Sequence, residues 1–410
     1  MNTYNELLEY LLSKRSSRYS LYEFDQFITA IDFRFTCPTI HVTATNGKGS
    51  IVNYLRTIYT KSGYRVASFM SPTSTLEEMI SINGMNIEKD AINEIFWKHY
   101  NQFVKYNLSE FEILTFIAFY YFMDQDVQLC ILEVGMGGLI DATNIVQSTI
   151  LSIIGRVGME HGDFLGRTVS EIAKAKAGII KESIPVLSIR QDESAEFAIK
   201  ESARHKEAEL LFARQSHSIQ REKLGYSFSF LHFKDLFVNS RAFYQIENAC
   251  VAIEATLILR DKFPVCETDL RESLREESLD GRYTTLPEFP RIIIDGAHNP
   301  DAIQGLVEAL SQRGEEVDCV LFAAFKDKNV EKMLSYLGTN HSNILLTTYN
   351  NPRARDENDY FLFADDHKFV ADYKSVISKY ATSEPNGPSL VVCGSLDFAY
   401  HVIAYLGGLK

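Results

Sequence analysis

Thr43-Ala44-Thr45-Asn46-Gly47-Lys48-Gly49-Ser50 decides how the rest of this 410-residue chain reads. The β-prone run at 38–42 reads as a strand, and the apolar spacing over 51–62 predicts a helix. Strand, glycine loop with lysine, then helix is an arrangement that cradles phosphate. Small residues let backbone N–H groups reach the oxygens, the helix start adds the positive end of its dipole, and Lys48 adds a point charge. Thr45, Asn46, Gly47 and Gly49 complete the cradle, and Ser50 offers a hydroxyl to Mg2+. The bland alternative is a glycine-softened turn in front of a helix. The loop departs from the common G-x-x-x-x-G-K-[ST] pattern, because Val42 stands at the first glycine position and Gly49 separates lysine from hydroxyl.

Outward from this loop, apolar strand-like runs alternate with helical patterns. Strands are expected at 39–43, 65–69, 128–134, 149–154 and 185–189, and helices at 110–123 and 169–178. Such alternation implies parallel βαβ units with both sheet faces covered. Between 217 and 240 the period changes, and Tyr226-Ser227-Phe228-Ser229-Phe230 predicts a small antiparallel hairpin. Leu286-Pro287-Glu288-Phe289-Pro290 is the strongest boundary signal. A second alternation follows it, with strands at 291–295, 318–323, 343–348 and 389–393 and a helix at 301–312. The expected class is α/β: a P-loop-type, mostly parallel sheet flanked by helices in an N-terminal domain at 1–286, then a smaller Rossmann-like α/β domain at 290–410.

The composition, 46% hydrophobic and 23% charged, is that of a globular protein. A formal net charge of -13 argues against nucleic acid and acidic membranes as partners, while local Lys and Arg can still serve an anionic small molecule. Cysteines 37, 130, 250, 266, 319 and 393 are scattered without a C-x-x-C pair, as expected of thiols in a reducing compartment. The first 18 residues carry charges and no apolar core, so no signal peptide is expected. No apolar run approaches the ~20 residues of a membrane span, which leaves a cytoplasmic protein as the expectation.

Two carboxylates end otherwise apolar strands. Leu129-Cys130-Ile131-Leu132 runs into Glu133, and Arg291-Ile292-Ile293-Ile294 runs into Asp295. Ligands of open parallel sheets bind beyond the carboxyl edge, so charges there are aimed at a site. The alternative for each is a carboxylate that caps its own loop or helix. His161, in Glu160-His161-Gly162-Asp163, is either a metal ligand joining Ser50 and Glu133 or a satisfied structural histidine. No His or Cys partner at zinc spacing accompanies His161 or His298. Lys174 and Lys176 lie two apart on one helix, point to different sides, and spacing alone selects neither.

Taken together these motifs resemble the folylpolyglutamate synthase/dihydrofolate synthase family, a branch of the Mur ligases. The family's loop reads T-G-T-N-G-K-G-S, and Ala44 is the one difference here. Phe111-Glu112-Ile113-Leu114-Thr115, Leu132-Glu133-Val134-Gly135-Met136-Gly137-Gly138 and Asp141-Ala142-Thr143-Asn144 follow its next motifs, and Asp295-Gly296-Ala297-His298-Asn299-Pro300 matches D-G-A-H-N-P unchanged. The resemblance implies that Ser50, Glu133 and His161 hold Mg2+. It also implies that Lys176 is carbamylated by CO2 to ligate a second Mg2+. Asn248 and Arg282 are implied as ATP contacts, Asp295 and His298 as nucleotide and phosphate contacts, and Lys48, Lys176 and His298 as catalytic groups. Ser71, Pro72, Thr73, Asp141, Thr143 and Asn144 fall on the substrate side.

The implied reaction phosphorylates a substrate carboxylate with ATP, after which the amine of L-glutamate displaces phosphate to form an amide. Folate or dihydropteroate would be the acceptor, in a monomeric enzyme whose domains close to exclude water. On the acceptor side the chain departs from the family. S-P-H-L reads Ser71-Pro72-Thr73-Ser74, the arginine of N-E-R is Met79, G-G-R is Gly137-Gly138-Leu139, D-H is Glu160-His161, and E-K-A-G has Ala175 for Glu. Losing two cations and a histidine weakens recognition of an anionic aromatic molecule. Three readings therefore stand: a folate ligase, a ligase of the same mechanism with another carboxylate acceptor, and a nucleotide-binding homologue without turnover.

Overall fold

Thr39–Thr43 (β1) is buried along its whole length, which suits a β-branched strand at the centre of a sheet. The computed structural model describes residues 3–15, 20–71, 75–160, 162–276, 279–382 and 386–409. Seven further strands complete the first sheet: β2 (Val66–Phe69), β3 (Ile80–Ile82), β4 (Met85–Asn86), β5 (Leu129–Glu133), β6 (Thr149–Ile154), β7 (Val186–Ser188) and β8 (Leu210–Phe212). Their order is β4-β3-β2-β5-β1-β6-β7-β8. β1 runs parallel to β5 and β6, β2 is parallel to β5, and only β3 and β4 are antiparallel additions at one edge. The carboxyl ends of β2, β5, β1 and β6 therefore open at the same edge, and the loops after them are neighbours.

The helix after the phosphate loop spans Lys48–Lys61, three residues earlier than its apolar spacing predicts. Gly47 caps it in the left-handed region (φ 89°), so the chain turns in one residue and Lys48 is already helical. The helix Glu110–Asp124 buries Ile113, Leu114, Phe116, Ile117, Ala118, Phe119 and Phe122. Consecutive buried positions cover every side of a helix, so it needs apolar partners all round. Phe24 and Phe27 of the helix Tyr22–Ala30 and Phe96 and Phe103 of the helix Lys89–Lys105 belong to the same core. A capping box starts the helix: Glu112 accepts from Ser109 N at 2.7 Å, and Ser109 Oγ accepts in return from Glu112 N.

The strands β9 (His217–Arg221), β10 (Tyr226–Phe230) and β11 (Phe233–Val238) form a separate sheet in the order β11-β10-β9. Leu231-His232 joins β10 to β11, a link so short that only an antiparallel pair can close it. The strict alternation expected in β10 is not matched by burial, since Phe228, Ser229 and Phe230 are all buried and both faces are covered there.

The last sheet has the order β12-β13-β17-β14-β15-β16, from Thr284–Leu286 (β12), Phe289–Ile294 (β13), Val317–Phe322 (β14), Ile344–Thr347 (β15), Lys368–Val370 (β16) and Ser389–Cys393 (β17). All its pairs are parallel except β12 with β13. Ile293 packs into one core, while Ile292 and Ile294 face the other, as a strand covered on both sides requires. The proline-bracketed segment is a hairpin turn: Leu286 pairs with Phe289, and Pro287 presets φ at the first turn position.

The chain packs as two compact units. One takes Met1–His217, Phe230–Leu236 and Glu247–Glu277, and the other takes Ser218–Ser229, Phe237–Ile246 and Ser278–Lys410. Among the described residues no helix is long and apolar enough to cross a membrane. Five cysteines are buried as thiols, and Cys266 is exposed. Replacing Ser109 by alanine removes one half of the capping box. It is expected to lower the midpoint of chemical denaturation by the equivalent of about 1 kcal/mol.

Candidate active site

The phosphate loop is held in place by its own polar groups and by the loop after β6. Thr45 N and Asn46 N both donate to Arg156 O, at 2.7 and 3.4 Å. Thr45 Oγ1 donates to Gly158 O at 3.1 Å and accepts from Gly158 N at 3.0 Å. Arg156 is in turn gripped by both oxygens of Glu247, next to Asn248. A Cβ at Gly47 would collide with Asn248 Oδ1, so this glycine is required by the fit of Asn248 as well as by its φ. The structure thus brings Asn248 against the loop.

Two lysines meet at one carbonyl. Lys48 Nζ donates to Ala44 O at 2.6 Å, and Lys176 Nζ reaches the same oxygen at 2.9 Å. Lys176 is only 1% exposed and is ion-paired with the buried carboxylate of Glu160, whereas Lys174 on the same helix, Val169–Ala177, faces solvent. Burial pushes the Lys176 amine down to about 8; Glu160 opposes that fall and the charge of Lys48 adds to it. Glu133, at the end of β5, is buried and accepts from Ser71 Oγ at 3.0 Å. A Cβ at Gly49 would stand 3.5 Å from Glu133 Oε2, so the carboxylate lies against the first turn of the helix that Ser50 joins.

The loop after β5 turns its predicted substrate residues inward. Asp141 accepts from Met136 N at 2.8 Å, Thr143 N at 3.0 Å and Thr143 Oγ1 at 2.6 Å, and both residues are buried. Asn144 Nδ2 spans Leu139 O and Gly178 O, each at 3.1 Å. His41, which sequence reasoning missed, lies under this loop with Nε2 2.9 Å from Thr143 Oγ1. A histidine inside a β-branched strand was the available signal.

In the second unit Asp295 is also turned inward. It accepts from Tyr244 Oη at 2.6 Å, Tyr283 N at 2.8 Å and Ala297 N at 2.8 Å. Burial raises its carboxyl pKa, and Tyr244 and the Arg282 charge oppose that rise. A Cβ at Gly296 would fall 2.8 Å from Arg282 Nη1, so the D-G-A-H-N-P segment packs closely on Arg282. His298 Nδ1 bonds Gly296 O at 2.9 Å, and Asn299 caps the helix Pro300–Arg313.

His161, Pro72 and Thr73 lie outside the described residues. Among the described residues no group of three His, Cys, Asp or Glu side chains gathers around a metal position. Mg2+ is commonly held by one or two carboxylates together with substrate phosphates and water. Glu133, one carboxylate lying beside Ser71 and the phosphate loop, is such a donor; Lys176 as an amine is not.

The family model for the Mur ligase middle domain matches residues 42–256, and that for the Mur ligase glutamate ligase domain matches residues 281–396. With the parallel sheet and its phosphate loop they define a Mur-type ligase, an enzyme that couples ligation to ATP. The dihydrofolate synthase/folylpolyglutamate synthase of Bacillus subtilis (strain 168) is 31% identical over 383 residues, covering 87% of this chain and 88% of that protein. A solved folylpolyglutamate synthase from Thermotoga maritima has a TM-score of 0.82 at 29% identity, over 99% of this chain and 97% of that one. A folylpolyglutamate synthase–AMPPCP complex has a TM-score of 0.84 at 26% identity, with coverage of 100% on both sides. The chain belongs to the folylpolyglutamate synthase/dihydrofolate synthase family.

Gly47→Ala is expected to lower ATP affinity by about tenfold or more, since the new Cβ meets Asn248 and the left-handed turn is strained. Isothermal titration with AMPPCP measures this, and an unchanged affinity rules it out. Burial pushes His41 from its ordinary 6.5 down to about 3. Below 6.5 the unfolded chain binds the proton more readily, so the fold carries no penalty from His41 above pH 6.5 and loses stability progressively as pH falls towards 3. The melting temperature of His41→Leu should therefore decline less steeply with acid than that of the wild type.

Proposed function

We propose that this enzyme joins L-glutamate to the carboxylate of a folate, with dihydropteroate as a second acceptor, through an acyl phosphate made from ATP. The observation that carries this reading is the shared Ala44 carbonyl, which sets the phosphate-loop lysine and a buried lysine side by side. Lys48 and the loop N–H groups neutralise the phosphoryl group as it passes to the acceptor carboxylate. The neutral glutamate amine then forms the C–N bond while the C–O bond to phosphate breaks, and its surplus proton leaves with the phosphate. Ser50 and Glu133, with His161, are the proposed Mg2+ ligands. Bound there, Mg2+ would withdraw charge from the phosphate oxygens.

Lys176 is proposed to be carbamylated. Its lowered pKa leaves a fraction of neutral amine at neutral pH, which can add CO2. The N–C bond forms, one N–H proton passes to Glu160, and a cationic side chain becomes an anionic oxygen donor for a second Mg2+. Asn248, Arg282, Asp295 and His298 are the proposed nucleotide contacts. Ser71 and Asn144 are proposed to face the acceptor side, and Asp141 and Thr143 act through the loop they hold. The enzyme is proposed to work as a cytoplasmic monomer on small molecules alone.

One observation favours a second reading, a ligase with a different carboxylate acceptor. Leu139, at the family's arginine position, is 57% exposed beside the likewise exposed Ile140. Phosphate release from ATP with glutamate and either tetrahydrofolate, dihydropteroate or neither separates the two. Turnover confined to the pteridines is the expected result. Turnover with none of them removes the folate reading. Lys48→Ala is expected to abolish release and Lys176→Ala to slow it by about a hundredfold or more. A fully active Lys176→Ala enzyme would exclude the carbamate.

A further inference from the structure

One polar side chain at the centre of the first sheet has no part in the chemistry above. His41 is wholly buried in β1, between Ile40 and Val42. The single hydroxyl proton of Thr143 goes to Asp141 Oδ1 at 2.6 Å, so the 2.9 Å contact between His41 Nε2 and Thr143 Oγ1 needs the ring to donate. Nδ1 is then an acceptor, and it is buried with no hydrogen-bond partner among the described residues. Leaving such a group unsatisfied costs about 1–3 kcal/mol. An aliphatic residue would suit a central strand better, so stability alone does not explain a histidine here.

What the donated proton holds is a loop with two attachments. On the β1 side, Thr43 lies two residues from His41 on the same face of the strand and donates to Gly137 O at 2.7 Å. On the far side, Leu139 N donates to Ala175 O at 2.9 Å and Asn144 Nδ2 to Gly178 O at 3.1 Å. Gly138 allows this approach, since a Cβ there would stand 2.8 Å from Lys176 O. Lys176 sits between the two gripped carbonyls, and its ammonium returns to Ala44, three residues beyond His41. Strand, loop and helix end form a closed circuit of hydrogen bonds.

We infer that His41 is a positioning residue: by donating to Thr143 it holds the 135–144 loop against β1 and so sets where Lys176 stands relative to the phosphate loop. The inference takes its turnover readout from the folate ligase reading, and its other readouts are independent of the acceptor. The test compares His41→Leu, His41→Gln, Thr143→Val and the double variant His41→Leu/Thr143→Val. His41→Leu is expected to melt at or above the wild-type temperature at neutral pH and to bind AMPPCP within about twofold of wild type, while kcat falls about tenfold or more. Gln keeps a donor and is expected to recover most of that rate. The double variant should be no slower than the worse single one, because both break the same link.

The reaction of Lys176 with cyanate, followed by mass spectrometry, covers the case in which no pteridine supports turnover. Its rate should change by about threefold or more in His41→Leu and return towards wild type in His41→Gln. The inference is overturned by full kcat in His41→Leu, by His41→Gln as slow as His41→Leu, by losses that add in the double variant, or by an unchanged cyanate rate.

Discussion

A single backbone oxygen, that of Ala44, accepts from two lysine ammonium groups, and the arrangement around it follows from that demand. Two like charges converge on one acceptor only if something else compensates them. Glu160 does so for Lys176, the fully buried one of the two. Burial and the neighbouring Lys48 charge then act in the same direction, and both lower the pKa of the Lys176 amine. The carbonyl can serve both because it lies past the end of β1, where the strand has stopped using its acceptors for pairing.

The parallel sheet makes this convergence possible. β2, β5, β1 and β6 deliver Ser71, Glu133, the phosphate loop and the Arg156–Gly158 segment to one edge, so side chains distant in sequence meet without long connections. Glycines then remove the bulk that would keep these pieces apart, at Gly47 against Asn248 and at Gly138 against the Lys176 carbonyl. Precision here comes from backbone contact, which tolerates less movement than contact between long side chains.

Much of this was legible in the sequence. The strands at 39–43 and 149–154 are found at the expected residues because continuous apolar, β-branched runs have one good solution in a covered parallel sheet. The Leu286–Pro290 segment reads two ways, since two prolines mark a turn as well as a linker, and only pairing across the turn distinguishes them. Glu133 and Asp295 look alike as charges at strand ends. Glu133 lies against the phosphate-loop helix, whereas three donors from its own surroundings claim Asp295. Choosing Lys176 over Lys174 needed either the family's motif or the structure, because spacing shows that two lysines diverge but not which one turns inward. His41 was passed over since its partner Thr143 lies 102 residues away.

Leu139 combines two properties that seldom coincide. Its backbone is locked, with N–H bonded to Ala175 and its Cα pressed so closely on Gly178 that no Cβ fits between them, while its side chain is largely in solvent. A designer would value such a position. Side chains of any size or charge can be grafted there without repacking a core, and each would be presented from the same rigid point. Over evolution the same property would let this surface point change while the machinery beneath, from Thr43 to Lys176, stayed as it was.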